Sequence, residues 1–525
     1  MFVFTLKYRF IPATCSRLSG CILFLVFLTG VYLPPAPAQP ARVKWFPAVK
    51  TAKDQRTLAL LNAGPEGFHL LRWQERRTDG AGAVTPAMPL LTVLSASGER
   101  LQDEPLPGFA DGNALFRFAF ANDSVLFVFY EAPDAAGGQG LFSRRFNLAQ
   151  RRWSAAPEII FSEPVQRAPA FAAAWYSRSA DGQHWCVYRL SGAARSQCSV
   201  AVFDGGFRLR WRRSVALPAQ AGPLAVRRVL CTNTGATVLH ARIFGAASRI
   251  QAFDEPPAAY RPNGRPMFRP FEQTAGLPAH SNALFLLEPD TEDLAAFYPN
   301  TGKKFTPSLE LAESPEGLIY AAGLSAEGSS EQVSGYFVYA LDPKSRKGDF
   351  VQNAPLPASV RKTFLNEKAA AKKEPVEGLA LRWLDWAADG KPWLLVESEN
   401  FESTPGRIEA AALLRLDSAY RVTASRKIEK YQQAATGEPQ NFASVAACPA
   451  PKGAWWMLWS QGRWPETKMM LTECRPNGEP DDHLLDAASR SNVTLLPHTV
   501  LGRAGRWYFV GESEYHERIR VGVLE

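Results

Sequence analysis

Ser179-Ala-Asp-Gly182-Gln-His-Trp185-Cys186-Val-Tyr-Arg-Leu190 places a tight polar turn directly before an unbroken apolar run. Ala387-Ala-Asp-Gly390-Lys-Pro-Trp393-Leu394-Leu-Val396 repeats the pattern two hundred residues later. Asp-Gly supplies the positive φ that a tight hairpin turn requires, at little steric cost. The residues after the turn decide the architecture. Consecutive strand residues point to opposite sides of a sheet, so a strand apolar at adjacent positions is covered on both faces.

The pattern recurs eight times. The other copies are Gly64-Pro-Glu-Gly67, Ala121-Asn-Asp-Ser124, Thr232-Asn-Thr-Gly235, Ser314-Pro-Glu-Gly317, Ala450-Pro-Lys-Gly453 and the shorter Arg503-Ala-Gly505. Closing residues are spaced by 57, 58, 53, 82, 73, 63 and 52. Three residues past each stand Leu70, Phe127, Trp185, Val238, Tyr320, Trp393, Trp456 and Tyr508. Four past stand Leu71, Val128, Cys186, Leu239, Ala321, Leu394, Met457 and Phe509. All sixteen are apolar or aromatic.

Each unit reads as four short strands. In the third they are Phe171–Arg178, His184–Leu190, Ser199–Phe203 and Leu209–Leu217; in the sixth, Leu379–Trp386, Trp393–Glu399, Ala410–Leu416 and Val422–Lys427. Second turns such as Asp204-Gly-Gly206, Asp342-Pro-Lys344, Asp417-Ser-Ala419 and Pro476-Asn-Gly478 close the third strand. Helical periodicity is confined to Asn366–Glu374, which reads as a solvated connector.

Eight four-stranded units with doubly covered strands predict an all-β chain forming a single β-propeller over residues 39–525. Seven blades are the alternative count, because spacings stretch around units four and five, and two separate all-β domains are the competing architecture. The eighth unit has Val493–Val500, Arg506–Glu512 and Arg518–Leu524 but no fourth strand. Val43–Val49 precedes the first unit and is predicted to complete the last blade as its outer strand, closing the ring. Pro47 suits such an edge.

The chain resembles bacterial β-propellers with irregular repeats. Phe297-Tyr-Pro-Asn-Thr-Gly302-Lys-Lys-Phe305 and Val202-Phe-Asp-Gly-Gly206-Phe-Arg-Leu-Arg-Trp211 are similar to the strand-turn-strand end of quinoprotein-type blades. Each copy has only part of that family's Asp-before-Thr-Gly and Trp-after pattern, so the resemblance implies no catalytic residue and no cofactor.

The start of the chain carries an address. Lys7, Arg9 and Arg17 precede the apolar run Cys21–Leu33, and Pro34-Pro-Ala36-Pro-Ala38 comes next. This is the order of a secretory signal peptide over residues 1–38, with cleavage after Ala38 and an exported, periplasmic or extracellular, product. An uncleaved anchor is the alternative, and Leu18-Ser-Gly-Cys21 has the spacing of a lipidation site without the apolar run in front of it. Three basic residues leave with the leader, taking the net charge from +8 to +5. That mild excess suits an anionic partner such as a glycan, a lipid head-group surface or an acidic protein and does not argue for nucleic acid; the partner expected is an envelope protein or extracellular polymer. A monomer with no further membrane span is expected.

No local motif announces catalysis. The seven histidines form no metal-binding spacing, Gly323-Leu-Ser-Ala-Glu-Gly328 is one residue too long for a nucleophile elbow, and Gly302-Lys-Lys304 lacks the rest of a phosphate loop. No catalytic residue, metal ligand or cofactor is assigned. His184 and His240 read as structural, and Asp481-Asp-His483 as a turn. Of the cysteines beyond the leader, Cys186 and Cys198 lie on adjacent strands and could pair, although small buried thiols are the simpler reading. Arg208, Arg210 and Arg212 fit the defence of an outer edge strand.

Successive turns of a four-stranded meander alternate between two faces. First-to-second and third-to-fourth turns are short and share one face, the regular face. Second-to-third loops and the links between blades share the other, the variable face, where lengths run from seven residues to about forty at Gly245–Asn282. Binding concentrates in loops held by a rigid scaffold. The long loop brings Arg guanidinium groups and aromatic faces together between prolines, so Tyr260, Arg261, Arg265, Phe268, Arg269 and Phe271 are the candidate binding residues. The predicted function is a non-catalytic scaffold for a protein or polymer; the alternative is a glycan-acting hydrolase or lyase whose carboxylates, among Asp111, Glu163, Asp254, Glu377 and Glu438, converge at the channel mouth.

Overall fold

The structure, a computed structural model, describes residues 42–525 apart from 76, 79–83, 86–87, 107–108, 110–113, 136, 164–173, 192–196, 219–223, 246–257, 261–265, 269–279, 303–304, 328–331, 387–388, 401–406, 434–444, 450–453, 464–465, 476–480, 488–492, 504, 514–515 and 525. The leader expected over residues 1–38 lies outside the described residues. Within them the chain is an eight-bladed β-propeller. Blade one is Gln55–Gly64, Gly67–Gln74, Met88–Leu94 and Arg100–Pro105, paired in that order. Blade three is Ala174–Arg178, His184–Ser191, Gln197–Asp204 and Leu209–Ala216, within three residues of the expected strands at every end. In blade six the strands are Leu379–Trp386, Pro392–Asn400, Arg407–Leu416 and Val422–Ile428.

Turn chemistry behaves as the residues dictate. Gly67, Gly182, Gly235, Gly317, Gly390 and Gly505 close their turns at positive φ, while Gly453 lies outside the described residues. At Ser124 the device differs: Asn122 Oδ1 accepts from the Ser124 and Val125 amides. Fourteen of the sixteen apolar positions after the turns are buried, and only Trp456 and Tyr508 keep part of their surface. Apolar clusters accordingly lie between adjacent blades. Between blades two and three, Phe120 stacks on Trp185 with centroids 4.1 Å apart, beside Phe118, Phe127, Phe129 and Phe207. Burying each such ring contributes about 2–3 kcal/mol.

The ring closes as expected. Val43–Trp45 and Val49–Lys50 both run antiparallel to Arg518–Leu524, with Val43 opposite Leu524 and Lys50 opposite Arg518. Trp45 Nε1 donates to Asp486 Oδ2 of blade seven at 2.6 Å, and the first strand of blade one touches that of blade eight.

Three expectations are refined or corrected. The helical stretch is shorter, Glu367–Ala371, capped by Asn366, and a second helix, Ala358–Phe364, precedes it. Val360 and Ala370 are fully buried, so the pair packs on the blade rather than standing in solvent. Asp481-Asp-His483 is not a turn but the start of the outer strand Asp481–Ala487, where one wet face accepts polar residues. Cys186 and Cys198 are free and buried, as are Cys231 and Cys474. Burial raises the Cys186 thiol to about 12.

Candidate functional site: the variable face

The second strands end at the variable face, and there the apolar rule breaks. Seven residues past the closing residue stand Gln74, Glu131, Arg189, Arg242, Leu324, Glu397, Ser460 and Glu512. Seven of the eight are polar and five are charged. All five charged ones are buried, as is Ser460. An unpaired charge at such depth would cost several kcal/mol, so partners are required.

The partners come from neighbouring segments. Glu131 takes Arg117 from the first strand of its own blade and, at 3.2 Å, Arg189 Nε from blade three. Glu397 is held by Arg382 Nε at 3.1 Å and by Lys430, which lies on the link to blade seven. Burial pushes the Lys430 ammonium below its ordinary range, with the Glu397 charge opposing. Glu512 Oε1 accepts from Thr57 N and Thr57 Oγ1 of blade one, both at 3.1 Å, while its Oε2 lies 2.9 Å from His516 Nδ1. Arg242 Nη2 donates to Pro307 O, on the way into blade five, at 2.6 Å. The belt therefore clasps blade to blade.

A backbone irregularity aims the arginines. The first strands of blades two, four and six each skip one residue in their pairing, and that residue is Arg117, Arg227 and Arg382. A bulge turns its side chain out of the ordinary alternation. In blades two and six this brings the arginine onto the glutamate of the second strand. The sequence carries a signal for this: arginine seven or eight residues before the closing turn residue and glutamate seven after. Attention to the third and fourth positions alone misses it.

Elsewhere on the first strands, Arg228 and Glu310 join blades four and five through a forked pair at 2.5–3.0 Å. Asp385, near the regular face on the first strand of blade six, has its carboxyl raised by burial, opposed only by the Trp386 amide. Its proton is held more tightly than an open carboxyl's.

The long loop of blade four carries a hairpin, Ala258–Tyr260 against Pro266–Phe268, with Tyr260 opposite Pro266 and Phe268 opposite Ala258. Blade one carries a smaller one at the same place, Arg77–Thr78 against Val84–Thr85. Among the candidate binding residues, Tyr260 and Phe268 thus end the two strands of one hairpin. Arg261, Arg265, Arg269 and Phe271 lie outside the described residues, as do Asp111, Asp254 and Glu438. Glu163 pairs with Gln139 and Glu377 with Gln332 on the third strands of blades two and five. His240 Nε2 lies 3.1 Å from Asn282 Oδ1, and the His184 amide donates to Ser179 Oγ in the turn. Among the described residues no three His, Cys, Asp or Glu side chains gather as a metal site, and no helix is long and apolar enough to cross a membrane.

No family model matches the chain, and no curated protein does. Solved structures similar to it include the polysaccharide lyase Uly1, at 9% identity and a TM-score of 0.41, covering 92% of this chain and 99% of that one. The β-propeller domain of the Trilobed protease from Pyrococcus furiosus, described as having an open velcro topology, is similar at 8% identity and 0.35, over 78% and 95%. Trypanosoma rangeli sialidase is similar at 10% and 0.32, over 90% and 59%. Likeness at these identities and scores carries no argument about activity.

Proposed function

We propose that this protein is an exported scaffold of the bacterial envelope, periplasmic or extracellular, that holds a protein or polymer partner on its variable face without chemical conversion. Export rests on the basic-then-apolar leader. One observation carries the binding reading: the carboxylates Glu131, Glu397 and Glu512 are buried and each engaged by one partner of its own blade and one from the next blade or link, so they act in the frame rather than on a ligand. The hairpins of blades one and four extend from that frame. The test is capture from envelope extracts with the wild type and with residues 246–279 replaced by a short linker, followed by titration of the recovered partner. The expected result is at least a tenfold loss of affinity; unchanged affinity overturns the role of the hairpin.

A further inference from the structure

Where the ring is sealed, two cations face each other. Lys50 on the N-terminal strand stands directly opposite Arg518 on the third strand of blade eight. Like charges at directly opposed ladder positions repel, and sequences ordinarily avoid them. Both side chains are exposed, and neither makes an ion pair among the described residues. They line an open cleft of about 620 Å³ with Thr51, Ala52, Lys53, Asp54 and Glu517. That volume is in the range of small-ligand sites. The cleft opens on the variable face, between the link into blade one and the second-to-third loop of blade eight.

The other charges of the cleft are accounted for. Lys53 and Glu517 pair at 3.0 Å. Asp54 lies near the buried Arg72 guanidinium, whose charge it favours, and its Oδ2 is itself buried, out of the cleft. The uncompensated charge is thus the Lys50–Arg518 pair, with the partly exposed Glu517 carboxylate beside it. Two cations in the jaws of a cleft suit a carboxylate or sulfate; a carboxylate at its margin suits a hydroxyl donor.

We propose that the closure cleft binds an acidic sugar unit of a polysaccharide, its anionic group between Lys50 and Arg518 and its hydroxyls toward Glu517. The site deepens the reading of the variable face as a binding face, naming a polymer class, and does not depend on the hairpin of blade four. A ligand there also ties the N-terminal strand to the last blade, so binding stabilises the closed ring by mass action.

The test titrates the full chain with trigalacturonate, with a neutral trisaccharide of the same length and with triglutamate, by calorimetry and by thermal unfolding. Trigalacturonate is expected to bind, to raise Tm, and to weaken as salt rises, while the other two bind at least tenfold less. Lys50→Gln and Arg518→Gln should each lower trigalacturonate affinity at least tenfold. Without ligand, Lys50→Gln should unfold no earlier than the wild type, because it relieves the repulsion; this also shows that a lost affinity is not a lost fold. Binding unchanged by both substitutions overturns the site. Triglutamate binding as tightly as trigalacturonate overturns the sugar. The hairpin-shortened variant should bind trigalacturonate as the wild type does, which keeps failure of this site distinct from failure of the hairpin reading.

Discussion

The two ends of the same strands solve opposite problems. At the regular face, the turns are nearly alike, and backbone groups carry several of the links, beside the part-buried Arg346–Glu288 ion pair of blades five and four. The Asp181 amide donates to Asn233 Oδ1, the Asn233 amide to Glu313 Oε2, and Trp211 Nε1 to Gly235 O, each crossing from one blade to the next. At the variable face, buried side-chain charges do the joining, and the junctions described there each use a different set. Repeated backbone geometry makes the eight units equivalent at one end. Individual ion pairs at the other make each junction different, which frees the loops above to diverge.

The contrast can be tested from the strongest expected effect to the weakest. Glu397→Ala leaves Arg382 and Lys430 buried without their carboxylate and should destabilise the ring by about 3–5 kcal/mol, read by denaturant unfolding. A loss below about 1 kcal/mol would mean that water enters the belt and that the clasp is not structural.

Acid should strike the other end. His69, close to the regular face, is held neutral by burial, with Arg151 and Arg503 adding to the effect, and its pKa falls to about 4 from 6.5. A depressed folded value means that the unfolded chain takes up the proton first. Stability is therefore full above pH 6.5 and lost as pH falls toward 4, by about 3 kcal/mol. His69→Gln should flatten this part of the pH profile; an unchanged slope would assign it to other groups.

The smallest effect belongs to a turn. Gly317 sits at φ 82°, and an added Cβ would meet nothing closer than 4.0 Å, so Gly317→Ala probes backbone conformation alone. It should cost about 1 kcal/mol in unfolding experiments. A cost equal to that of Glu397→Ala would erase the distinction between the two ends.

Much of the ring was legible in the residues. Asp-Gly and Pro-Glu-Gly turns followed by Trp-Cys, Trp-Leu or Leu-Leu state locally that a hairpin bends here and that its second strand is covered on both sides. The missing fourth strand of the last unit and the spare Val43–Val49 state the closure. Strand limits in blades three and six agreed closely because turn residues mark them sharply. Less was legible where local pattern is ambiguous: Asp481-Asp-His483 has turn composition but lies on an outer strand, and Ala358–Phe364 is too short to show a helical period. The candidate site was legible only as a face. Glu131 and Arg189 are 58 residues apart, and nothing local to either announces the other.

The sequence by itself determined the repeat, the all-β class and the seam, and left the count of units at eight or seven, because turn preference and double-sided burial are properties of neighbouring residues. Only the tertiary structure decided which charges meet. Arg117 reaches Glu131 through a bulge, Lys430 reaches Glu397 from a link, and Lys50 faces Arg518 across the seam. Such meetings depend on how separate segments are brought together in space, and electrostatic energy depends on that distance and on burial rather than on order along the chain.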